Sequence, residues 1–233
     1  MQRETSDLYS SYSEHFRTLD PALYEQNKQR LETNLEQLRL QLDLALIDRY
    51  VQGPMILDFP IGTGRIYPHL LERFTLYGYD ICEPYIDQAR SLYPHLAERF
   101  QVCSLEAPIQ ERAFDSILTF RVLDQVKDLE QVMRGVHDLL KPGGRWLISL
   151  HVPVEEQGAF RTHAEAANLR VSACHAYDFH AGHRRLGPFG SRLAGYWRAL
   201  IARGLVPRWL YAGVDRVFRR YGTHFLVLER PSE

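Results

Sequence analysis

Short apolar runs and longer amphipathic segments alternate along the middle of the chain. The apolar runs predict strands at 55–59, 75–80, 98–103, 114–120 and 145–151. The segments between them carry apolar residues at helical spacing and predict helices at 63–73, 84–92 and 128–140. Buried strands that alternate with helices are typical of an α/β fold, in which helices cover both faces of a mostly parallel sheet.

The flanking regions extend this pattern. Upstream, residues 21–51 carry two stripes of leucines at helical spacing, which predict a helix packed on the sheet. Downstream, residues 156–168 predict another helix, and two further strands are predicted at 169–177 and 222–229. The stretch between those last two strands breaks the alternation and predicts a helical insertion.

The pattern divides the chain into four segments. They are an N-terminal arm and helix at 1–50, an α/β core at 51–177, an arginine-rich helical cap at 178–221 and a last core strand at 222–233. We expect the cap to form a lid or wall over the substrate, with a structural helical cap as the alternative. The N-terminal arm is either a flexible arm or a second lid.

Composition bears on where the protein works. No apolar run reaches the roughly 18 residues that a membrane-spanning helix needs, and the first residues lack the apolar segment of a signal peptide. Cys82, Cys103 and Cys174 are widely separated, which suits a reducing cytoplasm and matches neither a disulfide framework nor a zinc site. We therefore expect a cytoplasmic protein without a metal site.

The net charge of -1 hides an asymmetry. Residues 181–233 hold ten arginines, no lysine and three acids, a balance of +7 against -8 for the remainder. A basic segment on an acidic body predicts an anionic substrate or surface. Solvated helix faces with internal ion pairs are the alternative. No lysine cluster marks a phosphate track, so the pattern does not favour nucleic acid.

The stretch from Asp58 to Gly64 predicts a ligand-binding turn. A buried strand runs into an acid and then a glycine-bearing turn, whose backbone can approach a ligand closely. Sixteen residues after Gly64, a second strand ends at Asp80, an acid placed to accept hydrogen bonds from ribose hydroxyls. A dinucleotide site would need a third glycine that is absent at the required offset. These features predict a nucleoside-cofactor site.

Two later motifs make the pattern specific. Phe114 to Leu118 forms the fourth apolar strand, and Leu140 to Gly144 forms a Lys-Pro-Gly-Gly turn before the fifth. With the Asp58–Gly64 turn and Asp80, the chain resembles the class I S-adenosylmethionine (SAM)-dependent methyltransferases over about residues 50–152. The resemblance implies a Rossmann-like sheet of seven strands with an antiparallel last strand. It also implies SAM as cofactor and S-adenosylhomocysteine as product.

The resemblance also implies roles by position. The turn would cradle the methionine part of SAM, Asp80 would hold the ribose, and Phe120 and Arg121 would face the methionine end. The cofactor-binding residues so implied are Asp58, Pro60, Ile61, Gly62, Thr63, Gly64, Arg65, Asp80, Ile81, Cys103, Ser104, Leu105, Phe120 and Arg121.

The chain departs from the family pattern in three places. Pro60 replaces the usual first glycine and removes one N–H. Cys103 stands where an acid often contacts the adenine amino group, so that contact is assigned to backbone or to Glu106. Asp124-Gln125 replaces a frequent histidine pair, so acid–base details do not transfer.

The expected reaction is direct displacement of the sulfonium methyl group, in which positioning supplies much of the acceleration. A base is needed only for a protonated nucleophile with a high pKa. His151, at the carboxyl end of the fifth strand, is the first candidate, followed by Asp124 and Tyr12.

We expect an oxygen, or else a nitrogen, of a small or medium-sized acceptor, including a sugar-linked or lipid-linked one, to receive the methyl group. Two other functions stay open: an RNA methyltransferase, and a regulatory protein that binds SAM without catalysis. Aromatic residues beside the cap arginines leave peripheral membrane contact as an alternative. The oligomeric state does not follow from the sequence.

Overall fold

A computed structural model describes residues 40, 43–108, 112–123, 126–150, 157–178 and 223–232. The described helices are α1 (residues 43–50), α2 (Tyr67–Leu70), α3 (Glu83–Leu92), α4 (Leu129–Leu139) and α5 (Gln157–Ala166). The strands are β1 (Met55–Asp58), β2 (Thr75–Asp80), β3 (Phe100–Val102), β4 (Phe114–Thr119), β5 (Leu140–Leu150), β6 (Arg170–Asp178) and β7 (Thr223–Glu229). A 3₁₀ helix (Pro94–Arg99) leads into β3.

The seven strands form one sheet in the order β3-β2-β1-β4-β5-β7-β6. Neighbours from β3 to β5 are parallel, whereas β7 runs antiparallel to both β5 and β6. This topology confirms the predicted Rossmann-like fold. The chain order reverses between β1 and β4, and in open α/β sheets the ligand crevice lies at the carboxyl ends of the strands at such a point.

Alternate residues of the central strands supply two separate cores, one on each face of the sheet. Leu57 packs with Val136 of α4 and Phe160 of α5 on one face. Ile56 packs with Ile47 of α1 and Ile86 of α3 on the other. All are essentially buried, as expected for strands covered on both sides.

The helix predicted at 63–73 is shorter in the structure. Only Tyr67–Leu70 is α-helical, with turns on either side. Gly64 has a positive φ of 65°, which a right-handed helix excludes. Pro68 lacks an N–H and fits only the first turn of a helix, so the helix begins just before it.

The fifth strand begins earlier than predicted. Leu140 already pairs with Phe114, and the pairing resumes at Ser116 with Arg145 after an irregularity. The Lys-Pro-Gly-Gly segment therefore bulges within β5 instead of preceding it, and Gly143 takes a φ of 77° there.

Some predictions lie outside the described residues. They include the N-terminal arm and nearly all of the arginine-rich cap. Within the described ranges, no helix has the length and apolar character that crossing a membrane requires.

Gly78 in β2 tests how tightly the sheet packs beneath the predicted site. A Cβ at this position would lie 2.5 Å from Ile61 Cδ1, 2.7 Å from Tyr67 Oη and 2.9 Å from Phe100 Cδ1. We expect Gly78→Ala to lower the free energy of unfolding by about 1–3 kcal/mol through overpacking. Urea denaturation measures the change.

The control is Gly158→Ala in α5, where a Cβ would meet nothing within 4 Å. That substitution should be neutral or stabilise by up to about 1 kcal/mol, because alanine is the better helix former. Equal stability of the Gly78→Ala variant and the wild type would contradict the packing described here.

Candidate functional site

The glycine turn after β1 is fixed to the neighbouring strands by its backbone. Phe59 N donates to Leu118 O of β4 at 2.9 Å, and Ile61 N donates to Tyr79 O of β2 at 2.9 Å. The turn then closes through Gly64 N, which donates to Ile61 O at 3.0 Å. The Phe59–Pro60 peptide is cis. The turn thus sits at the carboxyl end of the sheet, between β2 and β4.

Gly62 leaves room for a ligand at the tip of this turn. Its φ is 51°, a conformation that favours glycine. A Cβ placed on Gly62 would meet no atom within 4 Å, so the space beside its backbone is open. Both observations match the close approach of a ligand that the sequence predicts here.

Asp80 is the acid at the end of β2, and its side chain is only 4% exposed. Oδ2 accepts a hydrogen bond from Gly62 N at 2.8 Å, and Oδ1 accepts one from Cys82 N at 2.8 Å. Burial raises the pKa of the Asp80 carboxyl to about 6, against the lowering effect of its backbone donors. The carboxylate therefore joins the tip of the glycine turn to the start of α3.

Asp58, the acid at the end of β1, lies close to the same group. It is buried, and burial raises the pKa of its carboxyl well above the usual value. The neighbouring charges of Asp80 and Asp43 raise this pKa further. Three carboxyl groups from β1, β2 and α1 thus converge beneath the turn.

A cavity of about 360 Å³ opens beside Asp80. Its lining residues are Ile81, Glu83, Val102, Cys103 and Ser104. Val102 is 43% exposed and offers an apolar wall. Cys103 N donates to Asp80 O at 2.9 Å, which ties the end of β3 to the end of β2. An apolar wall flanked by polar groups suits a flat heteroaromatic ring.

Two residues predicted near this cavity have other contacts. Leu105 is buried in the core below the loop. Glu106 Oε1 accepts hydrogen bonds from Lys127 N at 2.6 Å and Asp128 N at 3.3 Å. These bonds attach the loop after β3 to the N-terminal end of α4. Cys103 and Ser104 line the cavity, whereas Leu105 and Glu106 do not appear among its lining residues.

The segment after β4 carries two further predicted cofactor-binding residues, Phe120 and Arg121. The Phe120 ring packs against Phe225 of β7, with centroids 5.9 Å apart. Arg121 has a φ of 60°, and its N–H donates to Ser149 Oγ at 2.7 Å. Its guanidinium Nη2 donates to Asp43 Oδ2 at 2.8 Å.

Two acids at the candidate site, Asp43 and Glu83, were not predicted from the sequence. Asp43 also accepts a hydrogen bond from Arg65 Nη2 at 2.5 Å, so one carboxylate bridges two predicted cofactor-binding residues. A signal existed for Asp43: it lies four residues before Ile47, on the apolar face of its helix. An acid on such a face requires a buried partner. Glu83 carries no comparable signal.

The three predicted catalytic residues, Tyr12, Asp124 and His151, lie outside the described residues and stay predictions. Among the residues that the structure describes, no group of three or more metal-ligating side chains comes together. His175, a histidine with no assigned role in the site, lies close to Tyr50, whose Oη is 2.5 Å from His175 Nε2.

Comparisons with known proteins agree with this geometry. Residues 57–148 match the family model described as a methyltransferase domain. This span contains the glycine turn, Asp80, the cavity and Arg121. A search of curated protein sequences gives no match.

Many solved structures share the fold at low sequence identity. The [4+2]-cyclase SpnF is 17% identical with a TM-score of 0.57, covering 83% of this chain and 81% of its own. The O-MT segment of StiE is 13% identical with a TM-score of 0.59, covering 88% and 79%. Geranyl diphosphate methyltransferase, solved in complex with SAM, is 15% identical with a TM-score of 0.56, covering 87% and 90%.

The family model, the strand order and the acid-and-glycine geometry at the carboxyl edge agree with one another. Residues 57–148 of the chain form a methyltransferase domain, and the sheet around them has the Rossmann-like fold of solved SAM-dependent methyltransferases.

Proposed function

We propose that the protein transfers the SAM methyl group to an oxygen, or else a nitrogen, of a small or medium-sized anionic acceptor. The observation that carries the proposed site is the buried Asp80 carboxylate, held between the glycine turn and an adjoining cavity. When bound, SAM supplies an electrophilic methyl group on a sulfonium centre. The residues of this chain bind that cofactor and orient it.

We assign the nucleoside half to the β2–β3 side of the site. Asp80 accepts hydrogen bonds from the ribose hydroxyls, since an ionised carboxylate has lone pairs beyond those used by Gly62 and Cys82. Ile81, Cys103 and Ser104 take the adenine in the cavity, and Leu105 supports that loop from the core.

We assign the methionine half to the β1–β4 side. The turn from Pro60 to Gly64 cradles it through its backbone, with Asp58 organising the turn from below. Arg65 and Arg121 share a contact with Asp43, and we assign them to the amino-acid end of the methionine half. Phe120 adds an apolar surface. Positioning of this kind is the main catalytic contribution expected for an activated methyl donor.

A base is required only when the acceptor is protonated. His151 remains our first candidate, because the end of β5 adjoins Arg121 through Ser149. Asp124 and Tyr12 follow.

An anionic acceptor is favoured by the charge of the C-terminal quarter. Residues 181–233 carry a balance of +7 and include the cap that we place over the acceptor, at 178–221. Arginine recognises phosphate and carboxylate groups through paired N–H donors. One structural neighbour is named for geranyl diphosphate, whose diphosphate group is anionic. We place the protein in the cytoplasm, because none of its three cysteines forms a disulfide.

Methyl transfer itself is the first test. Purified protein is incubated with a pool of candidate acceptors and with SAM that carries a labelled methyl group. We expect label in anionic acceptors of low molecular weight and release of S-adenosylhomocysteine. Label in RNA, with binding that weakens steeply with salt, would replace the acceptor proposal with the RNA alternative. One structural neighbour is named as a cyclase, so a third outcome is considered. SAM binding without label in any acceptor pool would support a role without methyl transfer.

Asp80→Ala tests the ribose assignment. We expect SAM affinity to fall about tenfold to a hundredfold, because hydrogen bonds to a charged acceptor contribute about 1.5–3 kcal/mol. Isothermal titration calorimetry measures the affinity. Asp87→Ala on the exposed side of α3 is the control and should leave affinity unchanged. Wild-type affinity in the Asp80 variant would remove this residue from the cofactor site.

The raised pKa of Asp80 predicts a pH dependence of binding. The ionised carboxylate is the better acceptor for ribose hydroxyls, and the pKa of this carboxyl in the unliganded protein is about 6. SAM affinity should be constant above about pH 7 and weaken as the pH falls through 6, because protons then compete with the ligand. Asp80→Asn should lose this dependence. An identical pH profile in that variant would assign the titration to another group.

A further inference from the structure

Asp43 lies on α1, outside the matched methyltransferase domain. Its buried carboxylate nevertheless contacts two predicted cofactor-binding residues, Arg65 and Arg121. It is fully buried, and the domain match begins at residue 57. Its Oδ2 accepts hydrogen bonds from Arg65 Nη2 at 2.5 Å and from Arg121 Nη2 at 2.8 Å. Both arginine side chains remain partly exposed, at 24% and 20%.

The two arginines come from different segments at the carboxyl edge of the sheet. Arg65 directly follows the glycine turn, and Arg121 directly follows Phe120 at the end of β4. The backbone of each is already constrained, by the positive φ of Gly64 in one case and by the bond from Arg121 N to Ser149 Oγ in the other. Asp43 therefore brings the ends of these two side chains together, because both bond the same oxygen.

The charge of Asp43 matters for this arrangement. Two guanidinium groups bound to one oxygen atom are close neighbours, and like charges at short range repel strongly where water is scarce. A carboxylate between them removes that repulsion and fixes both with charge-assisted hydrogen bonds. An uncharged side chain of the same shape would keep the packing and lose most of the attraction.

The helix that carries Asp43 is itself anchored in the core. Ile47, one turn further along α1, is fully buried among residues of the sheet and of α3. Val51 N donates to Ile47 O at 2.8 Å, which continues the helix toward β1. The carboxylate is thus held by a rigid element, as a positioning group requires.

We infer that Asp43 is a positioning residue, which holds Arg65 and Arg121 in place to receive the amino-acid end of SAM. This inference rests on the proposed function and deepens it, since it makes α1 part of the cofactor site. Asp43 does not touch the cofactor; it acts through the two arginines. Its loss should therefore weaken contacts to the amino-acid end and leave contacts to the nucleoside end unchanged.

The experiment compares two ligands. SAM carries the amino-acid end, whereas 5′-methylthioadenosine has the same nucleoside and sulfur without it. We expect Asp43→Asn to weaken SAM binding about tenfold, the effect of one charge-assisted hydrogen bond, and to leave 5′-methylthioadenosine binding unchanged by calorimetry. Asp48→Asn, on the same helix with an exposed bond to Arg73, is the control and should change neither.

The outcomes separate this inference from the proposed function. Failure of the wild type to bind SAM would overturn both. Wild-type SAM affinity in Asp43→Asn would overturn the positioning role alone. An equal loss for both ligands would also overturn it, because that result indicates a general structural role.

A second variant keeps the test decisive if Asp43→Asn does not fold. Arg65→Gln removes one arm of the bridge and should show the same selective loss for SAM. Where Asp43→Asn folds, adding it to Arg65→Gln should weaken binding by less than the sum of the separate effects, because the two residues act through one contact. Full additivity in the double variant, or equal loss for both ligands in Arg65→Gln, would contradict the inference.

Discussion

The buried carboxylate of Asp80 is the group on which the arrangement of the site depends. Burial alone would make an ionised acid unfavourable here, and backbone N–H groups of Gly62 and Cys82 offset that penalty. These same hydrogen bonds tie the glycine turn after β1 to the start of α3. Burial raises the pKa of Asp80, and the backbone hydrogen bonds limit that rise. A group that organises two loops and still offers lone pairs is suited to bind ribose.

The other acids at this edge show how the fold concentrates charge. Parallel strands end at one edge of the sheet, so residues that are far apart in sequence meet there. Asp58 comes from β1 and Asp43 from α1. Burial raises the pKa of the Asp58 carboxyl, and the neighbouring charges of Asp80 and Asp43 raise it further. Arg65 and Arg121 balance Asp43 directly. The site is therefore a compact ionic cluster, covered on one side by the helix that precedes the methyltransferase domain.

Much of the fold followed from the sequence because hydrophobic periodicity reports burial, and burial specifies strands and helices in an α/β sheet. Asp80 and the turn were predictable for the same reason, since they follow directly from strand ends. Local conformation was less accessible: the helix predicted from residue 63 begins at Tyr67, since Gly64 takes a positive φ. The Asp43 bridge could not be predicted, because it joins three segments that only the tertiary fold brings together. The one sequence signal for this bridge was the presence of an acid, Asp43, on the apolar face of a helix.

We propose that the crevice binds a sulfonium nucleoside through the Asp80 carboxylate and the glycine turn. Calorimetric titration of the wild-type protein with SAM, S-adenosylhomocysteine and NAD tests this claim most directly. The account predicts saturable binding of the first two, with one site per chain, and no binding of NAD. Binding of NAD alone, or of none of the three, would contradict it.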